Sequence, residues 1–218
     1  MPRKYAQVPE LSLKAYTDGD AVARAEFEEA LFEGFKYFGF IILKDHKVSH
    51  ALLSRAYKLS AEFFAQREDK KLPFVQPDCQ RGYTPPIPEG ADQNSIRAAA
   101  HEDINLITIL VAAEGGGLEL LDRDGKWLPI DTDPENLIVD AGDMLARITN
   151  DLIPATTHRV VNPSGPNVSR YSIPFFMHPH PDAMLSCIES CKEERVKYPD
   201  IRADDFLRER LAEIGLAG

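Results

Sequence analysis

His101 and Asp103 are separated by one residue, a spacing that on a β-strand sends both side chains to one face, one pleat repeat apart. Two such groups can share an ion. A third ligand must come from another strand, and His158 lies in a second β-prone run, Thr156 to Val161. Two imidazoles and one carboxylate form the facial triad that suits non-haem Fe(II), because three cis positions stay open for other ligands; the same set also holds zinc. An isolated His-x-Asp pair also occurs on plain surfaces and in capped turns, so the pair carries little weight without its neighbours. Arg170 and Ser172 again stand two apart, so guanidinium and hydroxyl share one face of a strand while Tyr171 takes the other. An Arg aimed into a pocket grips a carboxylate through two charge-assisted hydrogen bonds, a geometry Lys does not reproduce. The bland reading of Arg170 is a surface salt bridge.

Other chemistry-bearing residues carry less. His178 and His180 also stand two apart, but Pro179 and Pro181 mark a rim segment rather than a strand. Cys187 and Cys191 are too widely spaced for a Cys-x-x-Cys redox motif and lack the further pair that zinc needs. Trp127 reads as a strand side chain covering the core, Glu102 alternates away from the ligand face, and Asn150 and Asp151 read as a turn.

The elements that must position these residues follow from periodicity. Thr17 to Phe38 has a helical pattern with Thr17, Asp18 and Asp20 as candidate caps and Gly39 as its stop. A short β-prone run, Phe40 to Leu43, precedes a second amphipathic helix beginning near Ser49. The stretch from Leu72 to Gly90 is broken by prolines and glycines and reads as turns or extended chain. From Ser95 the chain reads as short strands: Ile96 to Ala112, Leu118 to Asp122, Lys126 to Ile130, Leu137 to Val139, Met144 to Thr149, Thr156 to Val161 and Ser169 to Met177. Asp124 and Gly125 occupy the place of a two-residue hairpin turn with positive φ. A final amphipathic helix covers about Ala203 to Ile214. This order predicts a mainly β fold with flanking α-helices, two packed sheets in a double-stranded β-helix, or jelly roll.

The 218 residues suit a single domain, with a helical and β region over 1–85 and a jelly-roll core over 95–218. With 44% hydrophobic and 28% charged residues, the composition is that of a globular protein. A net charge of -10 without a basic cluster argues against a nucleic-acid partner. No apolar run reaches the roughly 20 residues that cross a bilayer, and no secretory h-region is visible near the start, so no membrane role is expected. Three cysteines do not make a disulfide framework, and a reducing cytoplasm is the expected location.

Three stretches together resemble the isopenicillin N synthase-like branch of the Fe(II)/2-oxoglutarate oxygenases. They are Arg97-Ala98-Ala99-Ala100-His101-Glu102-Asp103-Ile104-Asn105-Leu106-Ile107-Thr108, Asn150-Asp151 through Thr157-His158-Arg159-Val160-Val161-Asn162-Pro163, and Ser169-Arg170-Tyr171-Ser172-Ile173-Pro174-Phe175-Phe176. The N-terminal part resembles the family through Tyr37-Phe38-Gly39-Phe40 and Gln80-Arg81-Gly82-Tyr83. The resemblance implies a cupin-like jelly roll in which His101, Asp103 and His158 ligate Fe(II), and Arg170 and Ser172 grip the carboxylate of 2-oxoglutarate. O2 is the other co-substrate, and a small organic molecule is oxidised. In isopenicillin N synthase itself the Arg-x-Ser pair grips the substrate instead, which leaves a 2-oxoglutarate-independent oxidase as an alternative.

The sequence departs from the family in one place. Members carry a long helical segment and a strand between motifs like Gln80-Arg81-Gly82-Tyr83 and Pro85-Pro86-Ile87-Pro88, which abut here. An incomplete roll is therefore expected, with an exposed sheet edge that invites oligomerisation. A shortened, non-catalytic metal binder is the third reading. The absent strand carries a Tyr before its Pro-Pro pair that reaches the co-substrate or substrate, and Tyr83, two residues before Pro85, is the candidate to replace it.

Overall fold

The structure is a computed structural model, and residues 6–76, 82–85, 98–112, 116–161 and 171–215 are described. Strands β1 (Glu10–Ser12) and β2 (Phe40–Lys44) flank helices α1 (Leu13–Thr17) and α2 (Ala21–Phe38), and α3 (His50–Phe64) and α4 (Glu68–Lys71) follow. The β-rich part contains β3 (Ala98–His101), β4 (Ile107–Val111), β5 (Leu118–Leu121), β6 (Trp127–Pro129) and β7 (Leu137–Ala141). Helix α5 (Asp143–Ile148) leads to β8 (His158–Val160), β9 (Pro174–Met177), β10 (Met184–Leu185), β11 (Ile201–Arg202) and α6 (Ala203–Glu213).

The strands form a five-stranded sheet in the order β1-β2-β7-β4-β9, a four-stranded sheet in the order β3-β8-β5-β6, and the small pair β10-β11. All pairings are antiparallel except β1 with β2. Period-two alternation sorts the larger sheet's side chains. Phe40, Ile42, Leu110 and Ile138 meet Leu118, Leu120, Leu128 and Val160 of the smaller sheet in one core, while Ile41, Ile107, Ile109, Val139 and Ala141 pack with Phe27 and Phe35 of α2. Two sheets face to face with helices outside is the jelly-roll arrangement expected from the strand pattern. Strand β9 ends the larger sheet with one strand neighbour, β4, among the described residues.

Local chemistry explains where the expected boundaries move. Helix α2 starts later than Thr17 because Asp20 caps it, accepting a hydrogen bond from Ala23 N at 2.9 Å; Leu13 to Thr17 makes a separate short helix. It ends at Gly39, whose φ of 65° is the left-handed cap that glycine adopts without strain. The run Met144 to Thr149, expected as a strand, is helix α5. There Met144 and Ile148, one helical turn apart, pack against Leu185 and Phe206, and this tertiary partner overrides the local β tendency. The hairpin joining β5 to β6 is longer than the expected two residues. Asp122 N donates to Lys126 O at 2.8 Å, and of the Asp124-Gly125 pair only Gly125, at φ 74°, has positive φ. Of the stretch expected as a strand from Ser169, the described part starts at Tyr171 and becomes strand at Pro174, and β1 was not foreseen.

Candidate metal centre

The smaller sheet sets two of the three chemical groups. In the β3-β8 pairing His101 stands opposite His158, and their ring centroids are 4.4 Å apart. His158 also pairs with Leu120 of β5, a residue with no exposed surface, so its ring is fixed on the inner side of the sheet. Phe40 meets that ring edge-on at 5.4 Å. The third group, Asp103, sits in the turn after β3, and the start of α5 holds that turn. Asp143 N donates to Asp103 O at 2.7 Å and Met144 N to Asn105 O at 3.2 Å, so two N–H groups unpaired within the helix are satisfied by the turn. Gly142 permits the approach, since a Cβ there would lie 2.2 Å from Asn105 O.

His101, Asp103 and His158 present one ligand atom each, all within 4.8 Å of one another. The Nε2 atoms of His101 and His158 lie 3.6 and 3.8 Å from Asp103 Oδ1. Each ring's other nitrogen has a carbonyl partner: His101 Nδ1 lies 2.7 Å from Ala99 O, and His158 Nδ1 lies 3.1 Å from Thr156 O. A carbonyl only accepts, so each Nδ1 carries a proton, which leaves Nε2, on the Asp103 side, as the atom available to a metal ion. This is the tautomer that a metal-binding histidine needs. Burial depresses the pKa of His158, opposed by its bond to Thr156 O and lowered further by the neighbouring His101. Burial thus favours the neutral ring, the form that a metal ion binds.

Behind Asp103 lies a polar layer that the sequence reading passed over. Thr108 donates its hydroxyl proton to Asp103 Oδ2, while Asn105 Nδ2 donates to Thr108 Oγ1 at 3.0 Å and to Ile107 O at 2.9 Å. Asp140 stands directly opposite Thr108 in the β4-β7 register and is also buried. Burial first, and the Asp103 charge second, push its carboxyl up to about 8. The signal was present as single polar residues interrupting apolar strands, Ile107-Thr108-Ile109 and Val139-Asp140-Ala141, at positions whose alternation points into the core.

The remaining expected site residues divide. Arg170 lies outside the described residues. Ser172 is exposed and lies two residues before β9, whose register puts Phe176 opposite Thr108. Tyr83 does not join the triad. It is buried, its hydroxyl shares the Glu68 carboxylate at 3.1 Å to both oxygens, and its ring packs on Phe63 and Phe64 with Lys71 Nζ 5.1 Å away. The co-substrate role suggested for Tyr83 is therefore replaced by one in the helical region, because that hydroxyl is already used. Glu102 accepts from Thr157 Oγ1 at 2.8 Å. Asn150 and Asp151 form a left-handed turn, φ 55° and 65°, that ties down the C-terminal segment through Lys197 N and the Tyr198 hydroxyl.

Comparison with known proteins agrees with this geometry. Residues 76–179 match the model of the 2OG-Fe(II) oxygenase superfamily, and residues 8–108 match that of the non-haem dioxygenase in morphine synthesis N-terminal region. The chain belongs to the 2OG-Fe(II) oxygenase superfamily. It is 38% identical over 128 residues to the 2-oxoglutarate-Fe(II) type oxidoreductase hxnY of Emericella nidulans, covering 57% of this chain and 36% of that one. To ppzC of Metarhizium majus, described in the same words, it is 33% identical over 174 residues, covering 74% of this chain and 45% of that one. The matches thus span less than half the length of these curated relatives. Among solved structures, a 2OG-Fe(II) oxygenase family protein from Caulobacter crescentus superposes with a TM-score of 0.81 at 27% identity, covering 96% of this chain and 100% of that one. No helix among the described residues is long and apolar enough to cross a membrane.

Proposed function

We propose that this chain is an Fe(II)- and 2-oxoglutarate-dependent dioxygenase that oxidises a small organic molecule, with Fe(II) held by His101 Nε2, His158 Nε2 and Asp103 Oδ1. The observation that carries this reading is the convergence of three ligand atoms within 4.8 Å, with both imidazole Nδ1 atoms occupied by carbonyls. The donor set fits the ion: two neutral nitrogens and one carboxylate on one side leave a face open for exchangeable ligands. Bound Fe(II) would supply the activation of O2 coupled to decarboxylation of 2-oxoglutarate, with succinate and CO2 as co-products.

The protein's own part is positioning. His158 and Asp103 are buried on the core side of the site, whereas His101 is half exposed, so ligands enter past His101. Phe176, on the same face of the larger sheet as Thr108, offers an apolar surface to a substrate. Ser172 lies two residues before β9, and in the sequence Arg170 stands two residues before Ser172. We assign to these two the binding of the 2-oxoglutarate carboxylate remote from the iron. The names of the curated relatives support 2-oxoglutarate as the co-substrate.

Cys187 and Cys191 are free thiols, which supports a reducing, cytoplasmic location. The edge of β9 that has no strand neighbour among the described residues supports self-association.

The test is anaerobic addition of 2-oxoglutarate to the Fe(II)-loaded protein, followed by O2. A visible charge-transfer band, then succinate formed in step with O2 consumption, is the expected result. A loaded protein that shows neither, with or without candidate substrates, would leave a metal binder that does not use 2-oxoglutarate.

A further inference from the structure

Asp103 has two carboxylate oxygens, and the structure treats them differently. Oδ1 faces the two Nε2 atoms at 3.6 and 3.8 Å, while Oδ2 is turned away and receives the Thr108 hydroxyl. A hydroxyl has one proton and two lone pairs. Asn105 Nδ2 donates into Thr108 Oγ1 at 3.0 Å, which uses a lone pair and leaves the proton free for Asp103; Asn105 Oδ1, at 3.4 Å, and the Asp140 carboxyl are the competing acceptors. Asn105 is itself fixed by its second bond, to Ile107 O at 2.9 Å, and is 2% exposed. Thr108, at 4% exposed, sits mid-strand in β4 between β7 and β9, so its Cα does not move to follow the carboxylate. The relay runs from a strand carbonyl through an amide and a hydroxyl to the outer oxygen of the acidic ligand.

We propose that Thr108, locked by Asn105, is a positioning residue that fixes the rotation of the Asp103 carboxylate, so that Oδ1 alone is presented to the metal. The inference rests on the metal reading of the triad given above. Without the clamp the carboxylate keeps Asp140 as a side-chain partner but loses the bond that fixes Oδ2, so it turns more freely about its Cβ–Cγ bond and some of the binding free energy goes into stopping it. A carboxylate so freed also has both oxygens available to one ion, which would consume a position that the open face needs. Loss of an outer partner of a metal ligand typically weakens metal binding ~10–100-fold.

The experiment uses Co(II) alone as an anaerobic probe, titrated into metal-free protein by calorimetry and by its ligand-field absorption. Wild type, Thr108→Val, Thr108→Ser and Asp103→Ala are compared, and thermal unfolding of each metal-free protein is recorded alongside. Val keeps the shape and removes the hydroxyl, while Ser keeps the hydroxyl. We expect Thr108→Val to bind Co(II) ~10–100-fold more weakly, and Thr108→Ser to stay within about threefold of wild type whatever its melting temperature. Thr108→Ala takes the place of the Val variant if that protein does not fold. Wild-type or tighter Co(II) affinity in the hydroxyl-less variant overturns the proposal. So does an equal loss in the Ser variant, which would mark a packing role. If wild type itself binds no more Co(II) than Asp103→Ala does, the triad is not a metal site and both readings fall. The two failures are told apart by the wild-type titration.

Discussion

The two flanks of strand β4 have opposite characters. Toward β7 the register pairs Thr108 with Asp140, both buried, and the Asp103 carboxylate is held from that same face. Toward β9 it pairs Ile109 with Phe175 and Thr108 with Phe176, and these aromatic side chains are 59% and 53% exposed. Helix α3 shares the open character: none of its residues is buried, and Leu52, Leu59 and Phe64 are exposed. On one flank, packing and hydrogen bonds determine where each group points, as a metal site requires. On the other, apolar surface faces outward with nothing among the described residues covering it, the usual mark of a binding or association surface. A closed face and an open one are thus placed on opposite edges of one strand.

Mutations at matched positions sharpen the contrast. Phe40→Ala, on the closed side, removes a ring that is 2% exposed and that supports His158 edge-on. It should cost ~3–5 kcal/mol in urea unfolding of the metal-free chain. A smaller and pH-dependent effect is expected from Asp140. Its carboxyl keeps its proton up to about 8 in the folded chain, against an ordinary value of 3.8. Folding therefore takes up a proton between those values. The contribution is full below 3.8 and is lost as the pH climbs toward 8 and passes through it. Asp140→Asn, which needs no proton, should gain on wild type in melting temperature as the buffer of the metal-free protein is raised across that interval. A constant difference would break the assignment. Phe175→Ser, on the open side, should change unfolding stability by less than about 0.5 kcal/mol, because little packing is removed. A loss as large as that of Phe40→Ala would show that this face is covered.

What was legible in the sequence follows the same division. The three ligands could be read from their residue types and from the resemblance, which supplied the long-range partner; the strand argument did not hold for Asp103, because β3 ends at His101 and the start of α5 holds the following turn. The jelly roll was readable from the succession of short apolar runs. Helix α5 was not, since Met144 to Thr149 is as apolar as a strand and becomes helical through its contacts with β10 and α6. Tyr83 was misplaced for a related reason: its distance from Pro85 along the chain said nothing of Glu68, fifteen residues earlier, which takes its hydroxyl. The relay behind Asp103 was hidden because a threonine in a strand is unremarkable until its neighbours across two strands are known.

The central claim is that three side chains from β3, the turn after it, and β8 hold one metal ion. Anaerobic Fe(II) titration of wild type and Asp103→Ala tests it most directly. One Fe(II) per chain in wild type, and a loss in the variant exceeding the ~100-fold that removal of an outer partner can cause, is the predicted result. Equal binding by the two proteins, or none by either, would contradict it.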